Sequence, residues 1–322
     1  MAALGIMRGL SQCASALRTF TILALDHRQN LRRDLRPDAP GQVGPDELID
    51  FKRAAVGALG DAATGVLLDP EYGAAQCISD GSLSGSTGLI VALEETGYAG
   101  ASTDRRSRLL AGWSAEAARH MGAAAAKLLV YYNPAAPGAT EQERLVEFAV
   151  EACHAVELPL FLEPLTFSLT QGERLTGEER RRAVVATARR LGGLGVDVVK
   201  IEFPYDDSVT DRAMWREACA ELSAGLDVPW VLLSGGADAS VFLEQVEIAC
   251  LAGASGVAAG RAIWSEATRL AGAQREMFLG GEARRRLAAL RELVERVARP
   301  WTEVRPLGGP RDTPPPDWFR TA

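Results

Sequence analysis

From Thr19 onward the chain alternates short, fully apolar runs with longer amphipathic stretches. A run of about four to eight apolar residues bounded by turn signals reads as a buried strand, and apolar positions three and four apart read as one face of a helix. Runs at residues 20–25, 65–70, 88–93, 126–132, 159–164, 196–203, 229–236 and 256–261 fit the first pattern. Between the first two, Gly44-Pro45 opens a helix whose Leu48, Phe51, Ala55 and Leu59 keep helical spacing, proline being suited to the first turn. Helices are predicted over residues 113–121 and 141–157, the second with Leu145, Phe148, Ala149, Ala152, Cys153 and Val156 on one face. Thr176-x-x-Glu179 has the form of a capping box. Asp238 heads the helix after the seventh run, and Leu287, Leu290, Val294 and Val297 are in phase in a closing helix. Buried runs separated mainly by helices, with no break in composition, predict a single (β/α)8 TIM barrel over residues 1–304, with a doubly wound sheet as the structural rival. Residues 305–322, rich in Pro, Gly and charge, read as a poorly ordered tail.

Composition narrows the function. A hydrophobic content of 47% in 322 residues is ample for a core. The net charge of −7 argues against nucleic acid and against an anionic membrane surface, so an anionic substrate has to be met by a local cluster of cations. No apolar run reaches the roughly 18 residues of a membrane span. Cys13, Cys77, Cys153, Cys219 and Cys250 form no CxxC and leave an odd count, which suits free thiols in a reducing cytoplasm. Leu10-Ser11-Gln12-Cys13 has the outline of a lipoprotein box but lacks the preceding apolar core. His27, His120 and His154 show no zinc spacing, so no metal is expected. Composition leaves a homo-oligomer open.

Of 35 basic residues only three are lysines: Lys52, Lys127 and Lys200. Lys52 stands beside an apolar stripe next to Arg53 and reads as part of a solvated face. Lys200 is different, because it sits inside Val198-Val199-Lys200-Ile201-Glu202-Phe203-Pro204. A charged lysine in a buried strand costs several kcal/mol when unpaired. Unlike arginine, lysine can lose its proton and attack a carbonyl. In a barrel the carboxyl ends of the strands carry the site, and there the sequence puts Asp26, Asp69, Lys127, Glu163, Lys200, Ser234 and Arg261. Lys127 and Lys200 are both able to form an imine with a ketone. Glu163, on the strand between them, suits proton shuttling, and Asp26 suits proton removal from a substrate hydroxyl. Ser234-Gly235-Gly236 and Gly260-Arg261, after the last two strands, combine a hydroxyl, permissive glycines and a bidentate cation fit for a phosphate.

Several segments extend this picture: Ala24-Leu25-Asp26, Leu67-Leu68-Asp69-Pro70-Glu71-Tyr72-Gly73, Glu95-Thr96-Gly97-Tyr98, Lys127 to Tyr132, Phe161-Leu162-Glu163, Lys200 to Pro204, Leu233 to Gly236 and Gly260-Arg261-Ala262-Ile263-Trp264. In this order, over residues 20–304, the chain resembles the class I tagatose 1,6-bisphosphate aldolases and the related sulfofructosephosphate aldolases. The resemblance implies Lys200 as the Schiff-base lysine, Glu163 as proton shuttle, Lys127 as the cation beside it and Asp26 as base for the C4 hydroxyl. It also implies that Ser234, Gly235, Gly260 and Arg261 hold the phosphate next to the ketone. A ketohexose 1,6-bisphosphate of tagatose or fructose type would yield dihydroxyacetone phosphate and glyceraldehyde 3-phosphate, without a metal or other cofactor. The competing substrate is 6-deoxy-6-sulfofructose 1-phosphate, yielding 3-sulfolactaldehyde. A non-catalytic sugar-phosphate sensor would need only the anion site, whereas here every catalytic position is filled. Two departures stand out: His27 replaces the glutamine usual in the family, and the segment between Pro204 and Pro229 is shorter than in the tagatose enzymes. For the far end of the sugar, Arg28 is the expected cation, with His27 beside it as a second donor if protonated.

Overall fold

The computed structural model describes residues 4–236 and 238–306. Its strands are β1 (Phe20–Ala24), β2 (Gly65–Leu68), β3 (Gly88–Ala92), β4 (Ala125–Tyr131), β5 (Leu160–Leu165), β6 (Val198–Ile201), β7 (Trp230–Leu233) and β8 (Gly256–Ala259). All pair in parallel in sequence order, and β8 returns to β1 to close the barrel. The fold is the expected (β/α)8 barrel. Each strand is covered on both sides, which is why the runs read as continuously apolar rather than alternating.

The pleat sorts successive side chains to opposite faces. One set, including Leu23, Val66, Val91, Leu128, Leu162, Val199, Leu232 and Val257, packs under the helices. The other, including Phe20, Ile22, Leu67, Ile90, Ala125, Phe161, Val198, Val231 and Ala258, fills the lumen. Lys127, Glu163 and Lys200 each lie two residues beyond a lumen residue, at Ala125, Phe161 and Val198. They therefore point inward, above that apolar floor.

Helices occur where the spacing predicts them, at Pro45–Leu59, Ala115–Met121, Ala139–Ala155, Ala239–Leu251 and Arg284–Val297, with four corrections. Phe148 is 58% exposed. The buried arc of its helix runs through Gln142, Val146, Ala149, Val150 and Cys153 instead. Gln142 belongs there because its Oε1 accepts from the Ser107 N–H at 2.9 Å. The helix Gly177–Gly192 opens at Thr176, whose side chain makes no cap; the Gly177 N–H donates to Asp206 Oδ1 at 2.9 Å. Lys52 is fully buried and ion-paired with Asp69, not part of a solvated face. The segment Leu4–Gln12 is a helix, and with it Ile6, Leu10 and Cys13 enter the lumen cluster from below. Gly9 allows that approach, since a Cβ there would stand 2.1 Å from the Ala124 carbonyl oxygen. Cys13 is a buried free thiol pushed up to about 12 by burial. Trp301, after the last long helix, closes the same cluster, and the expected tail lies outside the described residues from position 307 onward.

Candidate active site

One cavity of about 240 Å³ at the carboxyl ends of the strands is lined by Asp26, His27, Arg28, Lys127, Glu163, Lys200, Ser234, Gly235, Gly260 and Arg261, whereas Asp69, also expected at that rim, is paired with Lys52 outside it. Its centre is a cluster of alternating charges. Lys127 Nζ lies 2.7 Å from Asp26 Oδ2, 2.6 Å from Glu94 Oε1 and 2.9 Å from Glu163 Oε2. Lys200 Nζ lies 2.8 Å from Glu163 Oε1, so Glu163 bridges the two lysines. Burial alone would push Lys127 down, but Asp26, Glu163 and Glu94 outweigh it and hold the ammonium well above the usual lysine range. The same pairing works in reverse on the acids. Burial would raise Asp26 and Glu163, yet Lys127 and Lys200 keep both carboxyls below their ordinary range. Lys127 is thus a fixed cation. Among the described residues Lys200 meets a single carboxylate, and it faces the cavity.

Glu94 is the member of this cluster that the strand-end reading left out. It is buried, bonds Lys127, and accepts from the Leu129 N–H at 3.0 Å, tying β3 to β4. Its signal was available: Glu94 follows the third apolar run as Asp69 follows the second.

Toward β7 and β8 the cavity has a different character. Gly235 and Gly236 take φ of 56° and 86°, backbone that favours glycine and turns their N–H groups into a compact loop. Ser234 Oγ accepts from the Gly260 N–H at 3.3 Å, joining the two loops. Arg261 makes no ion pair among the described residues, so its guanidinium remains available to an anion.

The two residues assigned to the far end of the sugar both line the cavity, but each is constrained by its neighbours. Arg28 Nη1 bonds Glu71 Oε2 at 2.7 Å and its Nη2 donates to the Glu94 carbonyl oxygen at 2.8 Å, so the guanidinium is engaged with the protein on both sides. His27 stands on the β8 side instead. A Cβ on Gly260 would lie 3.1 Å from its Cε1, and its ring meets Trp264 edge-on at 5.2 Å. Burial, with Arg261 and Lys200 adding to it against Asp26, lowers His27 to about 4, which leaves a neutral imidazole. Among the described residues no group of His, Cys, Asp and Glu is arranged to hold a metal ion.

Several known proteins are similar to this chain. A tagatose 1,6-diphosphate aldolase 2 of Streptococcus pyogenes serotype M3 is 28% identical over 307 residues, covering 87% of this chain and 92% of its own length. A tagatose 1,6-diphosphate aldolase of Listeria monocytogenes serotype 4b is 27% identical over 92% of this chain and 94% of its own. In fold, the chain is similar to an archaeal fructose-1,6-bisphosphate aldolase whose catalytic lysine is covalently bound to a carbinolamine intermediate, with a TM-score of 0.58 at 21% identity, over 90% of this chain and 99% of that one. It is also similar to the fructose-bisphosphate aldolase of Plasmodium falciparum, with a TM-score of 0.68 at 14% identity over 92% and 96% of the two chains. The model of the DeoC/LacD family aldolases matches residues 20–266, and the chain belongs to that family.

Proposed function

We propose that the protein is a class I aldolase that cleaves a ketohexose 1,6-bisphosphate of tagatose or fructose type to dihydroxyacetone phosphate and glyceraldehyde 3-phosphate. The observation that carries this reading is Glu163 held between Lys200 at 2.8 Å and Lys127 at 2.9 Å in a cavity that ends in a cation-bearing anion loop. Glu163 takes a proton from Lys200, whose amine then attacks the C2 ketone. The carbinolamine oxygen leaves as water with a proton returned by Glu163. The resulting iminium is the electron sink for the C3–C4 bond. As that bond breaks, Asp26 accepts the C4 hydroxyl proton, the aldehyde departs, and the electron pair rests in the enamine. Protonation at C3 and hydrolysis of the imine release dihydroxyacetone phosphate and restore Lys200. Lys127, held as an ammonium by three carboxylates, is no rival nucleophile; it fixes Asp26 and Glu163 and stabilises the developing negative charge. The reaction uses no metal and no organic cofactor.

Ser234, Gly235, Gly260 and Arg261 bind the phosphate beside the ketone, so the C2 carbonyl falls near Lys200. Borohydride reduction in the presence of dihydroxyacetone phosphate tests the scheme. The expected result is an adduct on the Lys200 peptide by mass spectrometry; an adduct on Lys127 alone reverses the two lysines, and no adduct overturns the imine. The short segment between Pro204 and Pro229 favours 6-deoxy-6-sulfofructose 1-phosphate as the second reading. Comparison of kcat/KM for the two substrates side by side separates them, the bisphosphate being expected to lead.

A further inference from the structure

A ketohexose bisphosphate carries a second anion, while Arg28 is bonded to Glu71 and the Glu94 carbonyl and the His27 imidazole is neutral. The wall opposite the Arg261 loop is made by Glu95, Thr96, Gly97, Tyr131 and Leu165. It belongs largely to a hairpin that folds over the barrel mouth between β3 and the helix Ala115–Met121, closed by the bridges Glu94↔Leu109 and Ala99↔Arg106. Two arginines follow each other in it and have opposite fates. Arg106 is held by Asp104 at 2.7 Å and Glu141 at 3.0 Å, which anchors the hairpin to the rim. Arg105 has no ion-pair partner among the described residues. Its guanidinium carbon stands 4.9 Å from the ring centre of Tyr98, 5.6 Å from that of Tyr131 and 5.5 Å from that of Phe167. Tyr98 and Tyr131 meet edge-on at 5.1 Å, so the rings form one box around the cation. Among the described residues only Nε is used, donating to the Ser102 carbonyl oxygen at 3.0 Å, which leaves both terminal nitrogens available.

We propose that Arg105 binds the distal anion of the substrate, the phosphate on the aldehyde half, from this aromatic box. The proposal rests on the reading of the cavity as a ketose-bisphosphate site. Aromatic faces hold a guanidinium in place without consuming its hydrogen-bond donors, which suits a residue that must accept and release an anion at each turnover. Arg105 does not line the cavity, but Tyr131, one of the rings around it, does, and the free terminal nitrogens meet the anion past the edge of that ring. The other carboxylates near this wall are already neutralised, Glu94 by Lys127 and Glu202 by Arg180. Glu95 remains, so without Arg105 the wall would repel a terminal phosphate. The Arg261 loop and Arg105 then hold the two ends of the sugar across the barrel mouth, with Lys200 between them.

The test is calorimetric binding of two non-cleavable probes, a hexitol 1,6-bisphosphate and the corresponding hexitol 1-phosphate. Arg105→Gln should weaken the bisphosphate about ten-fold or more while the monophosphate stays within about two-fold, and Arg105→Lys should recover part of the loss. Equal weakening of both probes would make Arg105 a prop for the hairpin and overturn the proposal. So would an unchanged bisphosphate affinity, or wild-type protein that binds the two probes equally. Because neither probe is cleaved, failure of the aldolase reading shows separately, as wild-type protein that turns over no ketose phosphate.

Discussion

Lys52 and Lys200 are both nearly removed from solvent and both touch a carboxylate, yet they belong to different kinds of charge cluster. The Lys52–Asp69 pair is closed. Asp69 Oδ1 bonds Lys52 and Oδ2 accepts from the Tyr72 N–H at 2.7 Å, and neither residue lines the cavity. Around Lys200 the partners are shared: Glu163 serves two lysines, Lys127 serves three carboxylates, and the cluster opens onto the cavity. A closed pair can hold two elements together, here the helix Pro45–Leu59 and the end of β2. A shared, open cluster can also exchange a proton with a bound molecule, because Asp26, Glu163 and Lys200 face the cavity. Burial and pairing alone therefore do not distinguish Lys200 from Lys52; the sharing of its carboxylate and its access to a cavity do.

The largest effect expected from this contrast is at Lys200. Lys200→Arg keeps the charge and removes the nucleophile, so kcat should fall by at least roughly 1,000-fold in a coupled assay with the fold intact by circular dichroism. Residual turnover near wild type would move the chemistry to another lysine. Lys52→Met should instead act on stability. It leaves Asp69 buried without its partner, and urea unfolding should show a loss of about 3–5 kcal/mol. The double variant with Asp69→Asn should recover much of that. If Lys52→Met protein is stable but no longer traps dihydroxyacetone phosphate, the division into closed and open clusters fails.

The two clusters were not equally legible in the sequence. Lys200 was visible because it interrupts a buried strand, and Lys127 and Glu163 were found as polar residues punctuating other apolar runs at the strand ends. Lys52 was misread because a helix position beside the apolar stripe can turn either way, and the partner that decides it, Asp69, lies on another element. Phe148 and Gln142 exchanged roles for a similar reason, a loop around Ser107 that gave the glutamine a buried partner. The helix Leu4–Gln12 was hidden by its shortness and by glycines whose use, close contact with Ala124 and Glu157, appears only in three dimensions. Strand order and the glycine turns after β7 and β8 were readable from local chemistry. The hairpin that carries Arg105 was not, since its bridges join residues with no periodic pattern.

At intermediate size stands Arg261, which the open-cluster view treats as a group that trades solvent for substrate. Arg261→Ala should raise KM for the ketose phosphate about ten- to a hundred-fold, in line with loss of charge-assisted hydrogen bonds worth about 1.5–3 kcal/mol, and should leave kcat within a few-fold. An unchanged KM with collapsed kcat would place Arg261 in the chemical step and extend the reactive cluster to β8.

His27 tests the edge of the open cluster and is expected to change binding least. It lines the cavity but is neutral, lowered from 6.5 to about 4 chiefly by burial, with Arg261 and Lys200 adding to it. Its ring resonances should therefore show no titration above about pH 5 in NMR spectra. The KM ratio between wild type and His27→Gln should stay constant from about pH 5.5 to 8, a ratio that cancels the ionisation of the substrate phosphate. Stability carries the opposite signature to a paired histidine. Between 6.5 and about 4 the unfolded chain binds a proton that the folded chain refuses. The contribution of His27 to stability is thus fully present above the unfolded value and is lost as pH falls toward 4. His27→Gln should flatten that part of the acid-unfolding profile. A KM ratio that instead rises with pH through the imidazole range would mean that substrate binds a protonated His27, making it a working cation of the site rather than a neutral wall beside Arg261.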